Sequence, residues 1–270
     1  MSQRYFIRFS YDGTDYHGWQ TQPNSISVQS VMTEQLRKLF GPEVSLVAAG
    51  RTDAGVHAKV MYAHFTAPHP IEDIPAIVRK LDIMTPRDIA VQDILEVRCD
   101  AHARFDANSR TYEYWLGFHN DPFNSKFYLK MYRPLDFVAM NKTAQILLEY
   151  TDFTCFSKVH TDVKTNNCCI QKAIWEQRGD YWVFTIQADR FLRNMVRAIV
   201  GTLVEVGWGK IDEAGFRRII ESKNRCEAGS SMHAKGLFLT GVSYPQDVFD
   251  PTAPPKRSQY RAEVMDEDKE

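Results

Sequence analysis

The stretch Gly50-Arg51-Thr52-Asp53-Ala54-Gly55-Val56-His57-Ala58 gathers an arginine, a hydroxyl, a carboxylate and an imidazole around two glycines. Glycine lets a backbone bend sharply or come close to another group. A carboxylate on so constrained a loop is held in one place, which is what a nucleophile or base requires. Asp53 equally suits an Asx-turn that only stabilises the loop, so the stretch by itself leaves both readings open. A second set of residues lies much later in the chain. Over residues 191–206, Met195, Ile199, Val200 and Leu203 form an apolar stripe, while Arg193, Arg197 and Gly201 recur every four residues on another face. A glycine in line with arginines lets another backbone approach that face. An arginine brought beside Asp53 would keep the carboxylate charged and aimed. The other reading of Arg193 and Arg197 is a solvated pair on an ordinary helix.

The elements that must position these groups follow from hydrophobic periodicity. Tyr5, Ile7, Phe9 and Tyr11 share one face of a strand, with Arg4, Phe6, Arg8 and Ser10 on the other, a basic and partly aromatic face. The loop Asp12 to Gln20 is rich in glycine, aromatics and amides. Its Tyr16 and Trp19 suit base stacking or, equally, plugging the underside of a sheet. Ser27 caps a helix to about Phe40, ended by Gly41-Pro42. Residues 44–49 and 60–66 read as strands flanking the Asp53 loop, 72–84 as a helix and 89–98 as a strand. The order β-α-β-β-α-β is the split βαβ, or ferredoxin-like, unit. The second half repeats it, with a strand over 109–118, a helix over 135–150, a hairpin of 168–177 and 181–188, helices over 191–206 and 211–221, and a strand over 236–244. An α+β protein of two such units is therefore expected: residues 1–107 carry the Asp53 loop, and residues 108–245 carry Tyr112, Arg197 and Leu237. Residues 246–270, with three prolines and an acidic end, read as an extended tail.

The 270 residues are 44% hydrophobic and 25% charged, ordinary values for a globular chain with a real core. No apolar run is long enough for a bilayer, and residues 1–5 lead straight into a strand pattern without the apolar region of a signal peptide. The five cysteines are scattered and show neither a disulfide framework nor metal spacing, which suggests a reducing cytoplasm. Net charge is −1; residues 250–270 hold six acids and four bases, so the remainder carries +1. A nucleic-acid site would have to be a local patch, and arginines 51, 104, 110, 190, 193 and 197 are its raw material.

Five blocks of this sequence together resemble the tRNA pseudouridine synthase A family. They are Tyr11-Asp12-Gly13-Thr14 with His17-Gly18-Trp19-Gln20; the loop 50–58; His102-Ala103-Arg104-Phe105 with Arg110-Thr111-Tyr112; Phe191-Leu192 through Met195-Val196-Arg197 to Val200-Gly201; and Gly236-Leu237-Phe238-Leu239. The resemblance implies two ferredoxin-like halves whose antiparallel sheets join around a central cleft, a homodimer, tRNA as partner, and isomerisation of uridines at position 38, 39 or 40 of the anticodon stem-loop. It implies Asp53 as nucleophile, Tyr112 stacked on the uracil and placed to handle its C5 proton, Arg197 paired with Asp53, and Leu237 as apolar floor. It also implies Arg51, Arg104 and Arg110 as holders of the RNA. Cys168-Cys169-Ile170-Gln171 and His233-Ala234-Lys235 depart from the family pattern, away from the chemistry.

That chemistry breaks an N-glycosidic bond, turns the base over and rejoins it through C5. It involves no redox change or group transfer and so calls for no cofactor and no metal, in keeping with a sequence that lacks a nucleotide loop or metal spacing. One carboxylate suffices, attacking ribose C1′ or uracil C6. Two other functions suit some of the same residues. A non-catalytic RNA-binding protein of this fold would not need Asp53. A glycosidic hydrolase would need a second carboxylate, Asp12 or Asp15. His57 reads as a satisfied histidine that shapes the loop, or as a contact to RNA.

Overall fold

A computed structural model describes residues 2–158 and 165–256. The first half runs β1 (Gln3–Tyr11), α1 (Val28–Phe40), β2 (Val47–Ala48), β3 (His57–Ala67), α2 (Ile74–Met84), β4 (Ile89–Glu96). The second runs β5 (Ser109–Gly117), β6 (Leu129–Lys130), α3 (Phe137–Gln145), β7 (Ile170–Arg178), β8 (Tyr181–Ala188), α4 (Met195–Gly207), α5 (Glu213–Ser222), β9 (Leu237–Ser243). Local chemistry sets many of these limits. Ser27 and Ser30 cap each other's backbone N–H groups at the start of α1. Asp73 caps α2, whose Pro75 sits in the first turn where no amide is needed, and Asp212 caps α5.

All these strands form one sheet in the order β4-β1-β3-β9-β5-β8-β7, with β2 on β3 and β6 on β5. Setting aside the short β6, each half shows the same arrangement, its fourth, first, third and second strands side by side. The sheet is antiparallel except where β9 meets β3 and β6 meets β5, which are parallel. The joint between halves is therefore a parallel pairing inside a largely antiparallel sheet, with His57 opposite Phe238 and Ala58 opposite Leu239. One core runs through both halves. Tyr5, Ile7, Phe9 and Tyr11 are buried on its side of β1, as their alternation requires.

Several expectations need correction. The strand read over 44–49 is reduced to the two residues of β2. The helix read from 191 begins at Met195, because Asn194 takes a left-handed φ of 67° and Arg193 lies in the turn before it. The helix read over 135–150 is α3 followed by a 3-10 turn, Ile146–Glu149, and its Val138 faces solvent at 82% exposure. The basic face of β1 is not open at Phe6, which is fully buried with Val97, Ala101, Ala103 and Val248. That last contact also corrects the tail, which starts not as extended chain but as a packed 3-10 turn, Gln246–Phe249. Residues 257–270 lie outside the described residues. Among the described residues no helix is long and apolar enough to cross a membrane.

Candidate active site

The loop between β2 and β3 is pinned from beneath by the loop that follows β1. Trp19 N–H donates to the Thr52 carbonyl at 3.0 Å, and the Tyr11 and Thr52 hydroxyls are 2.8 Å apart. Val56 N–H closes a turn onto the Asp53 carbonyl at 3.1 Å. Gly13 is indispensable to this contact, since a Cβ there would lie 2.0 Å from the Val56 carbonyl oxygen. Tyr16 and Trp19 are buried at 6% and 2% exposure, which assigns them to the core rather than to base stacking. His57 is 1% exposed. Its Nδ1 accepts from Gly13 N–H at 3.0 Å, so the ring proton sits on Nε2 and points at the Lys235 carbonyl, 3.1 Å away. The ring stacks on Phe238 with centroids 4.7 Å apart. Burial holds this imidazole below its ordinary range despite the Asp12 carboxylate 3.0 Å from Nδ1. His57 thus shapes the loop and fastens it to the second half.

Across the joint, Arg197 on α4 meets Asp53. Its Nη1 lies 3.2 Å from Asp53 Oδ2, and the two side chains are 22% and 26% exposed. Arg197 is aimed by its own backbone neighbours. Nε donates to the Met232 carbonyl at 2.6 Å, and Met232 N–H donates back to the Arg197 carbonyl at 3.1 Å. The strand of chain that supplies Met232 can lie this close because of Gly201, where a Cβ would sit 1.9 Å from the Ser230 carbonyl oxygen. Arg193 reaches the other carboxylate oxygen more loosely, Nε to Oδ1 at 3.8 Å, from its turn rather than from a helix face. The two arginines therefore embrace the carboxylate for different local reasons. Helical spacing alone had grouped them.

Tyr112 lies on β5 between Leu239 of β9 and Ile186 of β8, 9% exposed, with Phe191 packed edge-on at 5.1 Å. Burial pushes its phenol up to about 12; the Arg110 charge opposes this and the Asp53 charge adds to it. Leu237 opens β9 opposite Tyr114 and is 6% exposed. The sequence pattern places Phe191 in a helix; only its position in the loop before α4 makes it a partner of Tyr112, and its spacing gives no sign of that.

The three remaining arginines separate. Arg51 is exposed and, with Arg104, Phe105, Arg37 and Lys38, lines a groove of about 780 Å³ beside α1, which Glu34 also borders. Arg110, which the resemblance implies as an RNA contact, is bonded to backbone on both sides of the joint. Its Nη1 donates to the carbonyls of Ala107 at 3.0 Å and Asp189 at 2.8 Å; its Nη2 donates to Ala49 at 2.9 Å and to Arg104. Four carbonyls engage its two Nη groups. Ala49 belongs to the first half and Asp189 to the second, so this guanidinium ties the Asp53 loop to the far side of the joint.

The sequence is similar to several known proteins. The family model described as tRNA pseudouridine synthase matches residues 7–106 and 144–245. The tRNA pseudouridine synthase A of Parabacteroides distasonis is 55% identical over 247 residues, covering 92% of this chain and 98% of that protein. The protein of the same name from Bacteroides fragilis is 53% identical over 92% of this chain and 99% of its own length. That from Chlorobaculum tepidum is 36% identical over 88% and 96%.

Proposed function

This chain belongs to the tRNA pseudouridine synthase family, isomerases that act on tRNA, and from that premise we propose that Asp53 is the nucleophile and that its targets are uridines 38, 39 or 40 of the anticodon stem-loop. The observation that carries this reading is the 3.2 Å pair of Asp53 and Arg197, one residue from each half.

In this reading the target uridine is flipped out of its stack, at a cost of a few kcal/mol offset by stacking on Tyr112. Asp53 Oδ attacks C1′ or C6 and forms a covalent adduct. The N1–C1′ bond breaks, the base turns over, a bond forms between C5 and C1′, and the bond to Asp53 breaks, which returns the carboxylate. The C5 proton is lost and N1 gains one, so atoms and charge balance without a co-reactant. With its phenol at about 12, Tyr112 is neutral at physiological pH and serves as an apolar platform rather than as a resident base. Leu237 closes the floor and keeps water from the broken bond. Arg197 holds Asp53 in its attacking direction while Arg51 and Arg104 take backbone phosphates. Residues 1–107 and 108–245 act as two functional halves, the first carrying the nucleophile and the second the platform and its guanidinium. We further propose a cytoplasmic homodimer, on the family resemblance.

The test is site mapping of pseudouridine, by a chemical label specific for it, in tRNA treated with wild type and Asp53→Asn. The variant is expected to bind tRNA and to form no pseudouridine. Label appearing with the variant overturns the nucleophile, label outside the anticodon stem-loop overturns the target, and free uracil released by wild type points to a hydrolase.

A further inference from the structure

The family model ends at residue 245, yet the residues just beyond it are built into the molecule. Val248 is fully buried among Phe6, Val97, Ala101 and Ala103, and its carbonyl accepts from Arg98 N–H at 3.0 Å. Phe249 packs edge-on against Phe6 at 6.1 Å. Arg98 is the deepest guanidinium among the described residues, 1% exposed. Three carboxylates surround it: Asp100 at 2.5 Å, Asp106 at 3.5 Å and Asp247 at 2.7 Å. A charge at that depth is tolerated only when it is paired on all sides. Asp106 has a second task. Its Oδ2 accepts from His102 N–H at 2.8 Å, and its own N–H donates to the His102 carbonyl at 3.0 Å, closing the turn 102–106. That turn carries Arg104 and Phe105 on the wall of the groove, and the Arg104 carbonyl holds Arg110. A continuous set of contacts therefore runs from Asp247 through Arg98 and Asp106 to Arg104.

We propose that Asp247, anchored by the burial of Val248, is a positioning residue for RNA binding that fixes the turn 102–106 so that Arg104 meets the RNA backbone. The inference rests on the reading of Arg104 as an RNA contact. Asp247 is 47% exposed on its outer side, where Lys256 also reaches it at 3.2 Å, and Asp100 and Asp106 still face Arg98 when it is substituted.

The experiment is steady-state pseudouridine formation on transcribed tRNA by the full chain carrying Asp247→Ala, Asp247→Glu, Arg104→Ala, or Asp247→Ala with Arg104→Ala. Asp247→Ala is expected to raise KM about three- to ten-fold, with kcat within about two-fold, and Asp247→Glu to restore KM. The double variant is expected to match Arg104→Ala alone, because a positioning residue has nothing left to position. Should Asp247→Ala fail to fold, Asp247→Asn, which keeps the shape and removes the charge, is read in the same way. Wild-type KM in Asp247→Ala, a fall confined to kcat, or effects that multiply in the double variant overturn the proposal. An unchanged KM in Arg104→Ala alone overturns the reading of Arg104 instead, and the proposal falls with it.

Discussion

The two halves share one strand arrangement and differ sharply at the connection between the second and third strands. In the second half, β7 and β8 are long and pair along nearly their whole length, so Gly179-Asp180 makes a tight hairpin far from the joint. In the first half, β2 is cut to two residues, paired only with His64 and Ala63 near the far end of β3. The near end of β3, at His57 and Ala58, is left with a free edge, and β9 of the other half takes it. The loop that a full-length hairpin would have tightened to two residues instead spans residues 49–56 and lies on the joint. An unpaired strand edge is normally a liability that must be covered. Here its covering sets the second half against the loop, with the Arg197 guanidinium 3.2 Å from the Asp53 carboxylate. The difference shows how a shortened strand can convert a turn into a site without a change of fold.

The largest effect should separate the two equivalent acids. Asp53→Asn is expected to lower the rate of pseudouridine formation at least about 10³-fold, while Asp180→Asn, exposed on the outlying hairpin, stays within about two-fold. Comparable losses would break the contrast. Next is the guanidinium across the joint. Arg197→Met is expected to lower kcat by roughly 10²-fold, in single-turnover assays, with tRNA affinity changed little. A loss seen only in affinity would mean that Arg197 grips RNA rather than aims Asp53.

Smaller effects concern stability. Gly201→Ala drives a methyl onto the Ser230 carbonyl and should cost about 1–3 kcal/mol by denaturant unfolding, with reduced activity because Met232 and Arg197 shift together. Gly179→Ala, at φ 59° with open space around it, should cost only about 1 kcal/mol and spare activity. The smallest and most graded test is acid. His57, His64 and His102, all in the first half, are held below the ordinary imidazole range by burial, His102 at about 4. Their folded values lie below the unfolded value of 6.5, so the unfolded chain takes up protons first. Their contribution to stability is complete above pH 6.5 and is lost as pH falls from 6.5 through about 4. His102→Gln should flatten that limb in pH-dependent thermal melts; an unchanged slope would remove His102 from the account.

The sequence by itself determined what depends on neighbours along the chain. Period-two alternation marked β1, β3 and β5, side-chain caps marked α1, α2 and α5, and the glycine-flanked Arg-Thr-Asp triplet marked the loop. Asp53 and Arg197 were both legible as types able to pair. Tertiary structure alone decided the rest, because each point turns on groups distant in sequence. Arg110 reads like any other arginine until four carbonyls from both halves converge on it, and Trp19 reads like a stacking ring until it is packed under the sheet. Val248 sits in a polar, proline-rich context that suggests loose chain, yet Phe6 offers it a pocket 242 positions away. The length of β2 is the deepest case: residues 44–49 have the composition of a strand, but a strand extends only as far as it finds a partner, and here β9 claims the edge it would have used.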